Sequence, residues 1–123
     1  MKWMAPEAVL ERMYTAASDV WSFGILCWEV FSYGQTPYPK MVFNEVVLAL
    51  AQGYRMPRPD DCPSELFVLL LFHVHSDFMR TSISLLCRYD VMQQCWQMER
   101  EERPSFFRVL TALEDIAYGQ TRL

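Results

Sequence analysis

The sequence has no basic block, no membrane-length apolar run and no closely spaced cysteine pair, and each absence argues against a class of protein. Its 123 residues include 11 Lys and Arg against 15 Asp and Glu, for a formal net charge of −4. That balance argues against a nucleic-acid partner. The apolar run over residues 67–72 is far shorter than the ~20 residues of a transmembrane helix. The N-terminus does not have the charged-then-apolar layout of a signal peptide.

The four cysteines predict buried free thiols. Cys27, Cys62, Cys87 and Cys95 form no C-x-x-C pair, the spacing that zinc and thiol-redox motifs use. Disulfide pairing in a secreted protein is the alternative, and we expect reduced thiols in a reducing cytosol. What the sequence has in quantity is apolar side chains: 52% of residues are hydrophobic and 15% are aromatic. That composition and length predict at most one folded domain with a core.

Helix signals recur along the chain, and no strand pattern is convincing. Residues 5–12 predict a short helix with Pro6 in its first turn, where proline is tolerated. Ser18 is a good N-cap for a long helix that we expect to end near Tyr33, before Gly34.

Two further helices follow from capping residues. Asn44 is predicted to cap a helix over residues 45–52, and Ser105 to cap a last helix to about Ala117. The predicted fold class is therefore all-α.

Three short blocks occur in a fixed order: KWMAPE at 2–7, DVWSFG at 19–24 and ERPSF at 102–106. Together they resemble the C-terminal lobe of a protein tyrosine kinase domain, in which an Ala-Pro-Glu block closes the activation segment. The Lys-Trp before Met-Ala-Pro-Glu is similar to the tyrosine-specific members. The resemblance covers residues 2–66 and 89–117 and implies one partial kinase domain, a C-lobe remnant, over 1–123.

The resemblance assigns roles to six residues, of which five form a substrate floor and an ion pair. Lys2, Trp3 and Met4 would line the floor that accepts the substrate residue just after the phosphorylated tyrosine. The alternative is that Trp3 and Met4 are ordinary core residues. Glu7 and Arg103 would form a buried ion pair beneath the activation segment, because a planar guanidinium neutralises a carboxylate with two hydrogen bonds. Two unrelated surface charges are the alternative.

Asp19 is the third predicted site. In the family, this aspartate accepts backbone hydrogen bonds from the catalytic His-Arg-Asp loop, and no such loop occurs in the sequence. We therefore expect a truncated kinase domain. The alternative is a carboxylate at a helix start that is stabilised by the helix dipole.

The resemblance implies a parent enzyme that transfers phosphate from ATP, with magnesium, to protein tyrosine in signalling. Such chemistry needs a Gly-x-Gly-x-x-Gly loop, a His-Arg-Asp loop and an Asp-Phe-Gly metal site, and none of these motifs is in the sequence. We expect no catalytic, cofactor-binding or metal-binding residue in the chain and no kinase activity from it alone. A non-catalytic, pseudokinase-like binding module and one half of a split kinase are the alternatives.

The expected partners are a protein substrate or a regulatory protein, bound through the floor and the 44–52 helix, or a chaperone; we expect no nucleic acid. The expected location is cytoplasmic, on the cytoplasmic side of a membrane if the parent is a receptor. The motifs leave that choice open. Residues 53–59 with Cys62 and Pro63 resemble Src-like kinases, whereas residues 28–34 resemble ephrin-type and other receptor kinases.

Residues 67–88 depart from the family. They place 22 residues between Leu66 and Tyr89, inside what should be one amphipathic helix. We hypothesise a retained intron, because suitable codons at Leu66 and Arg88 would supply splice signals and the frame would survive. His73 and His75 lie in this segment and lack the further ligands of a metal site.

The central helix is apolar around almost its whole circumference, which is typical of a helix inside a larger protein. If upstream neighbours are missing, Trp21, Phe23 and Trp28 should face water. Each exposed side chain would forfeit roughly 1.5–3 kcal/mol of burial. We therefore expect a marginally stable, aggregation-prone chain.

Overall fold

The computed structural model of the chain describes residues 1–59 and 89–117, and in these ranges it contains helices and no strand. The helices are α1 (Pro6–Leu10), α2 (Ala16–Phe31), α3 (Phe43–Ala51), α4 (Tyr89–Cys95) and α5 (Phe106–Ala117), with a 3₁₀ turn at Arg100–Glu102 before α5. The predicted all-α class is confirmed for these residues. The predicted insertion at 67–88 lies outside the described residues.

The start of α2 differs from the prediction, because Thr15 and not Ser18 is the N-cap. The Thr15 hydroxyl accepts a hydrogen bond from the Ser18 amide at 3.3 Å, and the Ser18 hydroxyl accepts one from the Thr15 amide at 3.0 Å. This reciprocal arrangement is a capping box. Ser18 was a plausible cap in sequence, but it acts from the third helical position, three residues after the true cap.

The other two capping predictions have different outcomes. Asn44 lies inside α3, whose N-cap is Val42, so the prediction for Asn44 was wrong. The Glu45 carboxylate accepts a hydrogen bond from the Val42 amide at 2.8 Å and satisfies that end of the helix. Ser105 behaves as predicted: its hydroxyl accepts a hydrogen bond from the Arg108 amide at 3.3 Å, at the start of α5.

The core is built around α2, and α4 packs against it. The two helices approach closely at Gly24, where a Cβ atom would lie 2.7 Å from both Cys95 Cβ and Trp96 Nε1. No real Cβ fits at that distance, so glycine is required for this packing. Burial raises the pKa of the Cys95 thiol to about 11 and that of Cys27 still further. Both thiols are therefore protonated at neutral pH.

The prediction that Trp21 and Trp28 face water was wrong. Their exposed fractions are 0% and 3%, and Phe23 is partly buried. Residues that follow α2 in the chain supply the cover. The Trp28 indole, for example, donates a hydrogen bond to the Pro57 carbonyl at 2.8 Å.

One group of the exposed apolar side chains lies on the opposite side of α2 and on α5. We call Leu26, Phe106, Phe107 and Leu110 the outer patch; their exposed fractions range from 43% to 77%. The two helices meet where the rings of Phe23 and Phe106 pack edge to face, with centroids 5.9 Å apart. None of the described helices combines the length and the hydropathy needed to cross a membrane.

Candidate substrate floor and its ion-pair support

The segment before α1 forms a tight turn that presents Lys2, Trp3 and Met4. The Met4 amide donates a hydrogen bond to the Met1 carbonyl at 3.1 Å, and Pro6 then starts α1 in the position that suits its fixed φ. All three side chains are half-buried, and those of Trp3 and Met4 pack against the core while remaining partly accessible. This partial burial is compatible with both interpretations of the sequence, namely ordinary core residues and a substrate-binding floor.

Two long-range hydrogen bonds hold this turn in place. The Trp3 Nε1–H group donates to Glu29 Oε2 at 2.7 Å, which ties the turn to the last turns of α2. The Lys2 ammonium donates to the Tyr38 carbonyl at 3.1 Å, in the loop that follows α2. Lys2 and Trp3 are adjacent in sequence and are thus attached to two different parts of the fold, the loop after α2 and α2 itself. Sequence reasoning did not find Glu29, because nothing in its local pattern separates it from a solvent-facing helix glutamate.

The structure brings Glu7 and Arg103 together across 96 positions of sequence. Arg103 Nη1 lies 2.6 Å from Glu7 Oε1 and Nη2 lies 3.0 Å from Oε2, so the pair is bidentate. The three remaining N–H groups of Arg103 donate to the carbonyls of Ala17, Gln97 and Met98 at 2.8–3.2 Å. All five guanidinium donors are used, as a buried arginine requires.

The electrostatics of Glu7 follow from this geometry. Burial raises the pKa of the Glu7 carboxyl, but the hydrogen bonds from Arg103 and the guanidinium charge outweigh it, so the pKa lies below its ordinary value of 4.5. The side chain of Arg103 is completely buried, and that of Glu7 is 11% exposed. At neutral pH the pair is therefore charged on both sides and nearly sealed from water.

Two arginines also approach the buried Trp21 ring. The guanidinium carbon of Arg103 lies 5.0 Å from the ring centroid, and that of Arg55 lies 5.2 Å from it. Arg55 donates from Nε to the Trp96 carbonyl at 2.8 Å, and burial lowers the pKa of its guanidinium. Sequence reasoning missed Arg55, whose partner Trp96 follows α4 and lies 41 positions later in the chain.

Asp19 is separate from the floor. It lies exposed in the first turn of α2, where the helix dipole favours a carboxylate. This is the arrangement expected of a helix-start carboxylate, and it leaves the side chain accessible. On α3, the proposed partner-binding helix, Leu48 is 65% exposed while Val46 and Leu50 are buried.

Across residues 1–59 and 89–117, no three His, Cys, Asp or Glu side chains are grouped as a metal ion would need.

Comparison with known proteins identifies the family. Residues 1–85 match the model of the family described as protein tyrosine and serine/threonine kinase. The chain is 40% identical over 121 residues to platelet-derived growth factor receptor alpha of Mus musculus, which covers 98% of the chain and 9% of the receptor. It is 40% identical over 123 residues to ephrin type-A receptor 5 of Homo sapiens, covering 100% of the chain and 10% of the receptor.

The chain thus spans about a tenth of the length of these relatives. The matched residues include all of the floor and Glu7, and the helical fold agrees with the lobe that the sequence blocks predicted. The chain therefore belongs to the protein tyrosine and serine/threonine kinase family, as part of the C-terminal lobe of a tyrosine kinase domain.

Proposed function

We propose that this chain supplies the substrate-facing floor of a tyrosine kinase domain whose parent enzyme transfers phosphate from ATP to protein tyrosine. The observation that carries the proposal is the double attachment of Lys2 and Trp3, at 3.1 Å and 2.7 Å, to two separate parts of the fold. A surface held in this way is pre-organised for a peptide, because little ordering remains to be done on binding. The Glu7–Arg103 pair anchors the first turn of α1, which directly follows the same segment.

The chain by itself is proposed to be inactive. Phosphoryl transfer depends on positioning and on electrostatic stabilisation by a phosphate-binding loop, a catalytic aspartate and metal ligands. The 123 residues contain none of the corresponding motifs. ATP and magnesium therefore belong to the parent, and the floor contributes substrate alignment only.

The experiment measures peptide binding and peptide phosphorylation with the same purified chain. We expect a tyrosine peptide to bind with modest affinity and no phosphate to be incorporated in the presence of ATP and magnesium. An active tyrosine kinase domain serves as the positive control. Phosphorylation by the chain alone would refute inactivity, and absence of peptide binding would refute the floor.

A non-catalytic binding module is the second candidate. It is supported by the burial of Trp21 and Trp28 within the chain itself, because a fragment that covers its own central tryptophans can hold a surface in shape. The partner would be a kinase substrate or regulatory protein on the floor and on α3, with a chaperone on the exposed apolar residues. Kinase activity that appears only after mixing with a second chain carrying the missing motifs would instead indicate a split kinase.

The parent is proposed to place this lobe in the cytoplasm. The two relatives are receptors by name, and a receptor parent would hold the lobe at the cytoplasmic side of a membrane. Fractionation of cells that express the parent transcript would test this location. Recovery of the lobe in the secreted fraction would contradict it.

Residues 67–88 are proposed to be an insertion derived from a retained intron. The support is the sequence alone, since removal of the segment joins Leu66 to Tyr89 in the order that the family shows. Sequencing of the transcript across codons 60–95 decides the matter. A transcript that joins Leu66 to Tyr89 is expected, and a genomic sequence without GT at codon 66 would refute the intron.

A further inference from the structure

We infer that Glu29 is a positioning residue that fixes the indole of Trp3 and thereby sets how the floor recognises the residue after the substrate tyrosine. The inference rests on the proposed substrate floor and adds a residue outside its sequence block. Glu29 lies on α2, and its Oε2 atom accepts a hydrogen bond from Trp3 Nε1 at 2.7 Å.

The four tryptophans of the chain show why this contact is distinctive. Trp21 and Trp96 are fully buried, and their Nε1–H groups have no hydrogen-bond partner among the described residues. Trp28 is also buried and donates to a neutral carbonyl. Trp3 alone is half-buried, and it alone donates to a carboxylate.

The buried rings and the half-buried Trp3 ring are therefore held in different ways. A ring that is closed in on all sides is held by its neighbours. The half-buried Trp3 ring packs against the core on one side and is open on the other, so packing fixes its orientation less tightly. The indole has a single N–H donor, and a short charge-assisted bond to that donor holds the ring in one orientation.

The orientation determines what the floor offers to a ligand. A fixed indole beside Met4 presents a pre-organised apolar surface to a side chain that arrives above it. The hydrogen bond from Lys2 to the Tyr38 carbonyl gives the same turn a second attachment. We expect the site to favour a large apolar residue directly after the tyrosine over glycine.

The test uses the full chain and two substitutions at one position. Glu29→Gln keeps an oxygen acceptor for the indole, whereas Glu29→Leu has similar size and removes it. Because Trp3 is half-buried, water can satisfy its N–H group in the leucine variant, and we expect helix content by circular dichroism to stay unchanged.

The first measurement is the indole Nε1–H resonance of Trp3 in a ¹⁵N-labelled chain, identified by its loss in Trp3→Phe. We expect a downfield, exchange-protected signal in the wild type and in Glu29→Gln, and an upfield, fast-exchanging signal in Glu29→Leu. An unchanged signal in Glu29→Leu would refute the positioning role, whether or not any peptide binds.

The second measurement is the affinity for two peptides that differ only in leucine or glycine after the tyrosine. Burial of one leucine side chain predicts a preference of about tenfold or more in the wild type and in Glu29→Gln. We expect the ratio to fall towards one in Glu29→Leu, because an indole without a fixed orientation offers the leucine less preformed apolar contact. Equal ratios in all three chains would refute the inference.

The two measurements separate this inference from the proposed function. A wild-type chain that binds neither peptide refutes the substrate floor, and the indole signal still decides whether Glu29 positions Trp3. A wild-type chain that binds both peptides equally refutes the link between ring orientation and recognition.

Discussion

The two sides of α2 carry similar large apolar side chains but differ in what covers them. On the inner side, Trp21 and Trp28 are covered by α4 and by the loop after α3, which come later in the chain. On the outer side, Phe23 meets the edge of Phe106, and Leu26 is 48% exposed. The fragment therefore completes one half of its core and leaves the other side apolar and accessible.

The two sides of α2 should therefore govern different properties of the chain, its stability and its self-association. The inner side should determine whether the chain folds, because it holds the close-packed residues and the Glu7–Arg103 pair. The outer patch should determine whether folded chains associate, because exposed apolar area is what self-association buries. The four predictions below test that separation, from the largest expected effect to the smallest.

Removal of the Arg103 guanidinium should have the largest effect. Arg103→Met leaves the Glu7 carboxylate and three carbonyls without their donor, and we expect a loss of about 3–5 kcal/mol in the free energy of unfolding. Urea unfolding followed by circular dichroism measures it. The matched control is Arg100→Met, which removes an exposed ion pair. The side chain of Arg100 is 41% exposed and that of its partner Glu101 is 68% exposed. We expect no measurable change in the stability of Arg100→Met. Equal losses in both variants would contradict the stabilising role assigned to the buried Glu7–Arg103 pair.

A methyl group at Gly24 should disturb the inner side next most. In Gly24→Ala the new Cβ would lie 2.7 Å from Cys95 Cβ and from Trp96 Nε1, so α4 must shift. Overpacking of this kind costs about 1–3 kcal/mol, which should lower the thermal midpoint. Ser22→Ala, a half-buried position on the same helix, should change stability by less than about 0.5 kcal/mol. A midpoint that is unchanged in Gly24→Ala would show that the helices do not pack this closely.

Acidification should weaken the inner side through Glu7. Because the folded pKa of Glu7 is below its ordinary value of 4.5, the unfolded chain binds the proton more readily than the folded chain. The stabilisation is therefore present above that value and is lost as the pH falls through the folded pKa. Unfolding measured from pH 7 to pH 3 should show a shallower pH dependence in Glu7→Gln than in the wild type.

Glu101 provides the control for that titration. The hydrogen bond from Arg100 lowers the pKa of the Glu101 carboxyl as well, but this carboxyl is exposed. Screening by water should make its share of the pH dependence smaller. A Glu101→Gln profile that differs from the wild type as much as the Glu7→Gln profile does would contradict the assignment to the buried pair.

Substitution in the outer patch should change association and leave stability almost unaffected. Phe107 is 77% exposed in the first turn of α5, where a carboxylate also suits the helix dipole. Phe107→Glu should lower the sedimenting mass or light scattering of concentrated samples and shift unfolding by less than about 0.5 kcal/mol. Val109→Glu, two residues away and 3% exposed, should unfold the chain. Unchanged association in Phe107→Glu would exclude the outer patch as its cause.

Local sequence rules predicted the helices better than their exact starts. The run of apolar residues around α2 and the Ser105 cap follow from short-range geometry, and both appear in the structure. The cap of α2 was misassigned, because Thr15 and Ser18 are both good caps and only their mutual hydrogen bonds select one. The cap of α3 was misassigned because its N-cap is a valine, whose side chain cannot accept a hydrogen bond. The amide of that residue, Val42, donates instead to the Glu45 side chain.

The sequence by itself determined the family, the helical class and, through the order of three short blocks, the candidate floor and its ion-pair partners. The helical class follows from local apolar periodicity and capping residues, whereas the family, the floor and the ion pair rest on the resemblance of those blocks to tyrosine kinases. Tertiary structure alone decided that Trp21 and Trp28 are buried and that Glu29 holds Trp3. Both depend on which distant segment lies against a side chain, and neither helical periodicity nor local composition specifies that contact.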